Sequence, residues 1–374
     1  MLTIYFLLAI LYPVLLGRMK AIWEKSQRPI QLKGPSEMVT VIIPFRNEAE
    51  NLPSIYRSVR ALNYRPLQVL FVNDCSEDDS VFILSKLLAQ TNEVDMSFEI
   101  LHAQGIGKKS ALHTGIQHAC SEIILTTDAD CDLPVFWVDL MVSSFIEKEV
   151  QLVAGPVISE GGTDFLRRFQ QIEWASVLLA THTGFALRKP LMCSGANLAY
   201  RKSAFLEVDG YIGNEHIMSG DDEFLLKKVI RHFGVESVRY IKEEEVLVLT
   251  KAQASWSRLF SQKVRWASKW KLHQSAIHSF SSILPVLFQL IFLSSFVLLS
   301  QGKQGVIVFC FLWGAKMISE YWSLSFVLGS FSINQPRWSV NLTSIFHPIY
   351  VMRVVFGALL GKFDWKGRNS LDKP

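Results

Sequence analysis

Ile123-Ile124-Leu125-Thr126-Thr127-Asp128-Ala129-Asp130 is a short apolar, β-branched run that breaks into two aspartates one residue apart. Read as a buried strand ending at a polar rim, it matches two earlier stretches. Val39 to Ile43 is followed by Pro44-Phe45-Arg46-Asn47-Glu48, and Gln68 to Val72 by Asn73-Asp74-Cys75-Ser76-Glu77-Asp78. A fourth strand-like run, Phe98 to His102, and the helical stretches Asn51 to Leu62, Ser80 to Gln90 and Ser110 to Ala119 complete the alternation. Such alternation predicts a mostly parallel sheet with helices on both faces. Ligands of these sheets bind beyond the carboxyl ends of the strands. One polar loop alone is explained by a solvated turn or a helix cap, but carboxylates delivered to one rim by successive strand ends point to a site.

Asp128 and Asp130 have a specific use there. Two carboxylates at a strand end can both turn toward a hard cation, and magnesium or manganese on a diphosphate takes one or two carboxylates plus phosphate oxygens. Gly105-Ile106-Gly107-Lys108-Lys109-Ser110 precedes a helix and lacks the GxxxxGK[ST] spacing of a Walker A loop. Amides at a helix start plus a lysine suit a phosphate or a nucleotide edge; a flexible turn with solvated lysines is the alternative. Cys193-Ser194-Gly195-Ala196-Asn197 reads either as a wall meeting sugar and acceptor or as a buried turn. Glu215 and His216, in the loop before Asp221-Asp222, are left outside the catalytic set.

The 374 residues are 49% hydrophobic with mean hydropathy +0.23, too apolar for a wholly soluble protein. A net charge of +4 suits anionic headgroups and a diphosphate; with no dense basic run, nucleic acid is not an expected partner. The five cysteines show no CxxC or Cys/His ligand spacing, so neither a disulfide framework nor a zinc site is indicated. Met1 to Leu16 is apolar and is followed by Arg18, Lys20, Lys25 and Arg28. This predicts an N-terminal anchor at 1–20, its N-terminus outside and the remainder cytoplasmic. Apolar stretches return at Ile283 to Ser300, Gly305 to Ile333 and Leu342 to Leu360. The second carries Lys316 and Glu320 on one helix face, where they can neutralise each other. The third carries His347, Pro348 and Arg353, which favours a helix in the interface, so 279–374 is expected to hold two spans, one interfacial helix and a basic tail of Lys362, Lys366, Arg368 and Lys373. At 251–278, Trp256, Arg258, Phe260, Lys263, Arg265, Trp266, Lys269, Trp270 and Lys271 read as amphipathic helices at headgroup level, with an ordinary packing helix as the alternative.

Seven stretches in order carry a resemblance: PFRNEAENL from Pro44, VNDCSEDDS from Val72, GKKSALHTGI from Gly107, TTDADCD from Thr126, CSGANLAYRKSAF from Cys193, GDDEF from Gly220 and QKVRW from Gln262. From Met38 to Trp270 the chain resembles the inverting family 2 glycosyltransferases of GT-A fold. The last stretch is similar to the QxxRW motif of cellulose, chitin and hyaluronan synthases and, in variant form, of ceramide glucosyltransferases. The resemblance implies an α/β GT-A nucleotide-sugar-binding domain at 38–250, its mostly parallel sheet flanked by helices, with transmembrane and interfacial helices at either end. It implies a nucleotide-sugar donor, UDP-linked ahead of GDP-linked, and magnesium or manganese. Pro44, Arg46, Glu48 and Asp74 would lie at the base and ribose, with Lys108 near them, and Asp128 and Asp130 would hold the metal. Asp222 would be the general base; Asp221 stands where the family has glutamate, so the choice within the pair stays open. Gln262, Arg265 and Trp266 would close the site from the membrane side, the arginine at the diphosphate and the tryptophan near the acceptor. The expected activity is sugar transfer to a membrane lipid or lipid-linked acceptor at the cell (inner) membrane, catalytic domain cytoplasmic. A processive polysaccharide synthase and an inactive scaffold are the alternatives.

Overall fold

After a first helix, α1 (Leu2–Glu24), the computed structural model enters strand β1 (Val39–Phe45), buried at every position. The structure describes residues 2–25, 37–214, 220–268, 276–360, 364–365 and 368–369. Then follow α2 (Leu52–Arg60), β2 (Leu67–Asn73), α3 (Ser80–Leu88), β3 (Met96–His102), α4 (Lys108–His118) and β4 (Ile123–Thr126). The seven-stranded sheet is completed by β6 (Leu152–Ala154), β8 (Leu198–Arg201) and β9 (Val238–Tyr240), in the order β3-β2-β1-β4-β8-β6-β9. Pairing is parallel except at β8, which runs antiparallel to both neighbours. The register sets Phe45 of β1 beside Asn73 of β2, and Asn73 beside His102 of β3. Their carboxyl ends therefore share one edge. Strands covered on both faces read as continuous apolar runs, and β1 and β2 do so. A second sheet, of order β5-β10-β7, joins β5 (Cys131–Asp132), β10 (Val248–Thr250) and β7 (Val157–Ser159).

Two compact units result. The sheet unit comprises Gln27–Glu160 and Gly184–Lys251. On one sheet face, Ala111, Leu112 and Ile116 of α4 pack with Ile42, Leu70 and Val72; Leu225, Leu226 and Val229 of helix α8 (Asp221–Phe233) extend the same core. The short helices α5 (Trp137–Ser143) and α7 (Lys202–Glu207) lie on the connections between strands.

The other unit comprises Met1–Ser26, Gly161–Thr183 and Ala252–Pro374. It holds α1, most of α6 (Phe165–Ala186), α9 (Trp256–Ala267), α10 (Ala276–Ser294), α11 (Gly302–Gly329) and α12 (Arg337–Leu360). Among the described residues, Leu2–Glu24, Ile283–Ser300 and Arg337–Leu360 are long and apolar enough to cross a membrane. The last is the stretch whose polar residues had favoured an interfacial helix. Gly302–Gly329, expected as a span, carries Lys303, Lys316 and Glu320 and falls outside that set. Lys316 and Glu320 do pair, at 2.7 Å, both buried. Tyr12 of α1 donates to the same glutamate, and Lys316 also donates to the Ser344 carbonyl of α12. The N-terminal helix runs past residue 20 because Lys20 is buried beside Trp322 and Phe326, at 4.3 and 4.0 Å from the ring centroids, and pairs with Glu24.

In the stretch at 251–278, the described helix α9 makes the contacts of a packing helix. Half-buried Trp256 packs on Phe169 and Phe346, and half-buried Phe260 on Tyr350. Lys269, Trp270 and Lys271 of that stretch, Glu215 and His216, and the tail lysines 362, 366 and 373 lie outside the described residues.

Candidate active site

Asp74 closes β2 at the shared strand edge, 2% exposed, and its Oδ1 accepts the Gly107 amide at 2.7 Å. That bond fixes the start of α4. The next residue, Lys108, carries its ammonium to Asp128 Oδ1 at 2.6 Å and to Asp221 Oδ2 at 3.4 Å. Asp128 follows β4 and Asp221 opens α8, so three elements distant in sequence meet at one cation. Its neighbours are thus carboxylates of the expected metal motif and of the Asp221-Asp222 pair. Burial alone would lower its pKa. The charges of Asp128, Asp221 and Asp222 outweigh that and hold it well above the ordinary lysine value.

Gly195 sits at the centre of this cluster. Its amide donates to Asp222 Oδ2 at 3.0 Å, and its carbonyl accepts from Thr126 Oγ1 at 2.8 Å. A Cβ at this position would lie 2.7 Å from Asp221 Oδ2 and 3.5 Å from Lys108 Nζ, so only glycine lets the loop approach so closely. Asp222 Oδ1 also accepts the Glu223 amide at 2.7 Å, so two backbone donors orient that carboxylate. Of the neighbouring wall residues, Asn197 takes no part in lining a sugar pocket. It is fully buried, and its amide donates to the Pro156 and Val246 carbonyls while accepting from Trp137 Nε1. Thr126 and Asn197, which brace this loop, had no signal beyond their place in the strand and turn.

Arg46 and Glu48 are buried wall-builders at the same edge. Arg46 donates to the carbonyls of Asp74 and Cys75 and to Glu77 at 2.8 Å, and Glu48 Oε2 accepts from Asn51 at 2.6 Å. The loop after β1 is thus bolted to the loop after β2. Pro44 is the penultimate residue of β1, paired with Val72.

Asp130 follows Asp128 in the same loop, and its carbonyl accepts the Lys251 amide at 3.1 Å. Burial, then the charges of Asp130 and Asp128, pushes the neighbouring Cys131 thiol upward, a mark of local negative field. Lys108 is one cation among Asp128, Asp221 and Asp222, so the cluster carries surplus negative charge. Hard oxygens and surplus negative charge are the chemistry that a magnesium or manganese ion shared with a diphosphate takes. Among the described residues, no group of three or more His, Cys, Asp or Glu side chains is placed to hold a metal ion by itself or with others.

The QxxRW stretch falls in the helical unit, on α9. Trp266 packs edge-on against Trp174 of α6, with centroids 5.5 Å apart at 73°. Gln262 and Arg265 are half-buried on the same helix.

Residues 40–209 match the family described as Glycosyl transferase family 2. Among curated proteins, the chain is 24% identical over 303 residues to poly-beta-1,6-N-acetyl-D-glucosamine synthase of Staphylococcus epidermidis, covering 79% of this chain and 69% of the relative. With the Staphylococcus aureus (strain COL) synthase the match is 24% over 237 residues, 62% of this chain and 54% of the relative. The chain thus spans between about half and two thirds of the length of these relatives. Among solved structures, a mannosyltransferase from Pyrobaculum calidifontis, in complex with GDP-Man and Mn2+, superposes with a TM-score of 0.55 at 17% identity over 96% of each chain. With the sheet order, these likenesses give the chain a GT-A fold, and over residues 40–209 it is similar to the family 2 glycosyltransferases.

Proposed function

We propose that the protein is an inverting glycosyltransferase that moves one sugar from a nucleotide-sugar donor, UDP-linked, to a membrane lipid or lipid-linked acceptor on the cytoplasmic face of the cell membrane. The observation that carries this reading is the convergence of Asp128, Lys108, Asp221 and Asp222 at the sheet edge, in a chain that also carries helices long enough to cross a membrane. In this reading Asp74, with Pro44, Arg46 and Glu48 shaping the wall, takes the base and ribose. Asp128 and Asp130 would hold a divalent ion, which when bound would offset charge on the leaving diphosphate.

The chain's own groups supply the rest. A sugar hydroxyl is too weak an acid to ionise near neutrality, so a carboxylate within hydrogen-bond reach must take its proton during attack on the anomeric carbon. Asp222, oriented by the amides of Gly195 and Glu223, is that base. Asp221 holds Lys108 beside the diphosphate, and Lys108 and Arg265 add positive charge where the leaving group develops its negative charge. Gln262 and Trp266 line the acceptor side. A single displacement inverts the anomeric centre.

A second reading, a processive polysaccharide synthase, is favoured by the curated relatives, which are named as synthases of a polymer. Mass analysis of the product made from one labelled donor by the purified protein separates the two. A lipid bearing one added sugar supports single transfer; a ladder of sugars on one acceptor replaces it with the synthase reading.

A further inference from the structure

The helix that carries QxxRW has an apolar stripe at Phe260, Lys263, Val264 and Ala267, the i, i+3, i+4, i+7 spacing of a buried face. One member of that stripe is a lysine. Lys263 Nζ lies 2.7 Å from Glu173 Oε2 of α6, with side chains 7% and 10% exposed. The ammonium also stands over two indoles, 4.4 Å from the Trp266 centroid and 5.1 Å from that of Trp174. Tyr350 of α12 donates to the other oxygen of Glu173 at 3.2 Å. One residue along the stripe, α12 comes so close that a Cβ on Gly357 would lie 2.6 Å from Val264 Cγ2.

A buried ion pair is a poor device for stability, because desolvating both charges offsets most of their attraction and an apolar pair of similar volume is often as good. What it provides is direction. The pair fixes the rotation of α9 about its axis, and the cation over both rings fixes the indole of Trp266. At about 100° per residue, Gln262, Arg265 and Trp266 all lie to one side of Lys263, so one pin orients the three.

We propose that Lys263 and Glu173 are positioning residues for sugar transfer, which hold Trp266, Arg265 and Gln262 in the orientation the reaction needs. The inference rests on the functional reading above, which places those three residues at the acceptor and diphosphate.

The test uses the whole chain in detergent and three variants: the double variant Glu173→Gln/Lys263→Met, Lys263→Arg, and Trp174→Phe as the spectroscopic reference. The measurements are kcat, donor KM, melting temperature and the far-ultraviolet circular dichroism couplet of the Trp174–Trp266 pair, identified by its loss in Trp174→Phe. The double variant is expected to keep its melting temperature and donor KM, to lose the couplet, and to lose kcat by about tenfold or more, since small misplacements of reacting groups are costly. Lys263→Arg, which keeps the cation, should retain the couplet and most of kcat. A double variant with wild-type kcat overturns the proposal, as does a fall in kcat that merely tracks a fall in melting temperature. If the wild-type protein transfers no sugar from any nucleotide donor, the functional reading fails, and positioning for transfer falls with it. The couplet then still reports whether the ion pair orients the two indoles.

Discussion

Gly195 is the residue on which most of the site's geometry bears. It lies between Thr126, Asp222 and the Lys108–Asp221 pair, and a methyl group there would collide with Asp221 Oδ2. Gly195→Ala should therefore cut kcat by about 100-fold, the cost of displacing reacting groups by about an ångström, while the melting temperature stays near wild type. Steady-state kinetics beside a thermal melt checks this, and unchanged kcat would show that the Asp221–Lys108 geometry is immaterial. Asp222→Asn keeps the shape of the carboxylate and removes its basicity. It should abolish transfer and leave nucleotide binding, measured by calorimetry, nearly intact. Full activity in that variant would pass the role of base to Asp221.

At the scale of elements, the four parallel strands and their helices were legible because β1, β2 and β4 are buried apolar runs and each helix between them spans at least two turns. The observed ends of β1, α2, β2, α3, α4 and β4 lie within a few residues of the sequence reading. The second half of the sheet unit was not legible: β5 to β10 are two to four residues long, and they lack the regular alternation with helices that made the equally short β4 stand out. Nor does sequence reveal that β8 enters antiparallel or that Asn197 turns inward to bind strands together. The stripe of α9 stayed ambiguous for a similar reason: aromatic and basic residues on a helix read alike whether they meet headgroups or the rings of α6 and α12. Asn197→Ala tests the brace. It deletes hydrogen bonds to Pro156, Val246 and Trp137, each worth about 1 kcal/mol and more where a partner is left buried. The expected loss is about 3 kcal/mol or more, seen as a lower melting temperature of the purified protein. A loss below about 1 kcal/mol would mean that the loop is held elsewhere.

For the whole molecule, the apolar helices make a direct prediction about location. Helices Leu2–Glu24, Ile283–Ser300 and Arg337–Leu360 each suffice to cross a bilayer, so the protein should stay in the membrane pellet through alkaline carbonate and high salt. Release by either wash would reduce its attachment to surface binding. The central claim, that the carboxylate cluster at the sheet edge performs metal-assisted sugar transfer, meets its most direct test in one assay. The detergent-purified protein is given a panel of UDP- and GDP-sugars with a total membrane lipid extract, with manganese or with EDTA, and nucleotide release is followed. The account predicts release from one donor that requires both manganese and lipid and is lost in Asp222→Asn. Release that persists in EDTA, or none from any donor, would contradict it, and release that persists in Asp222→Asn would move the role of base to Asp221.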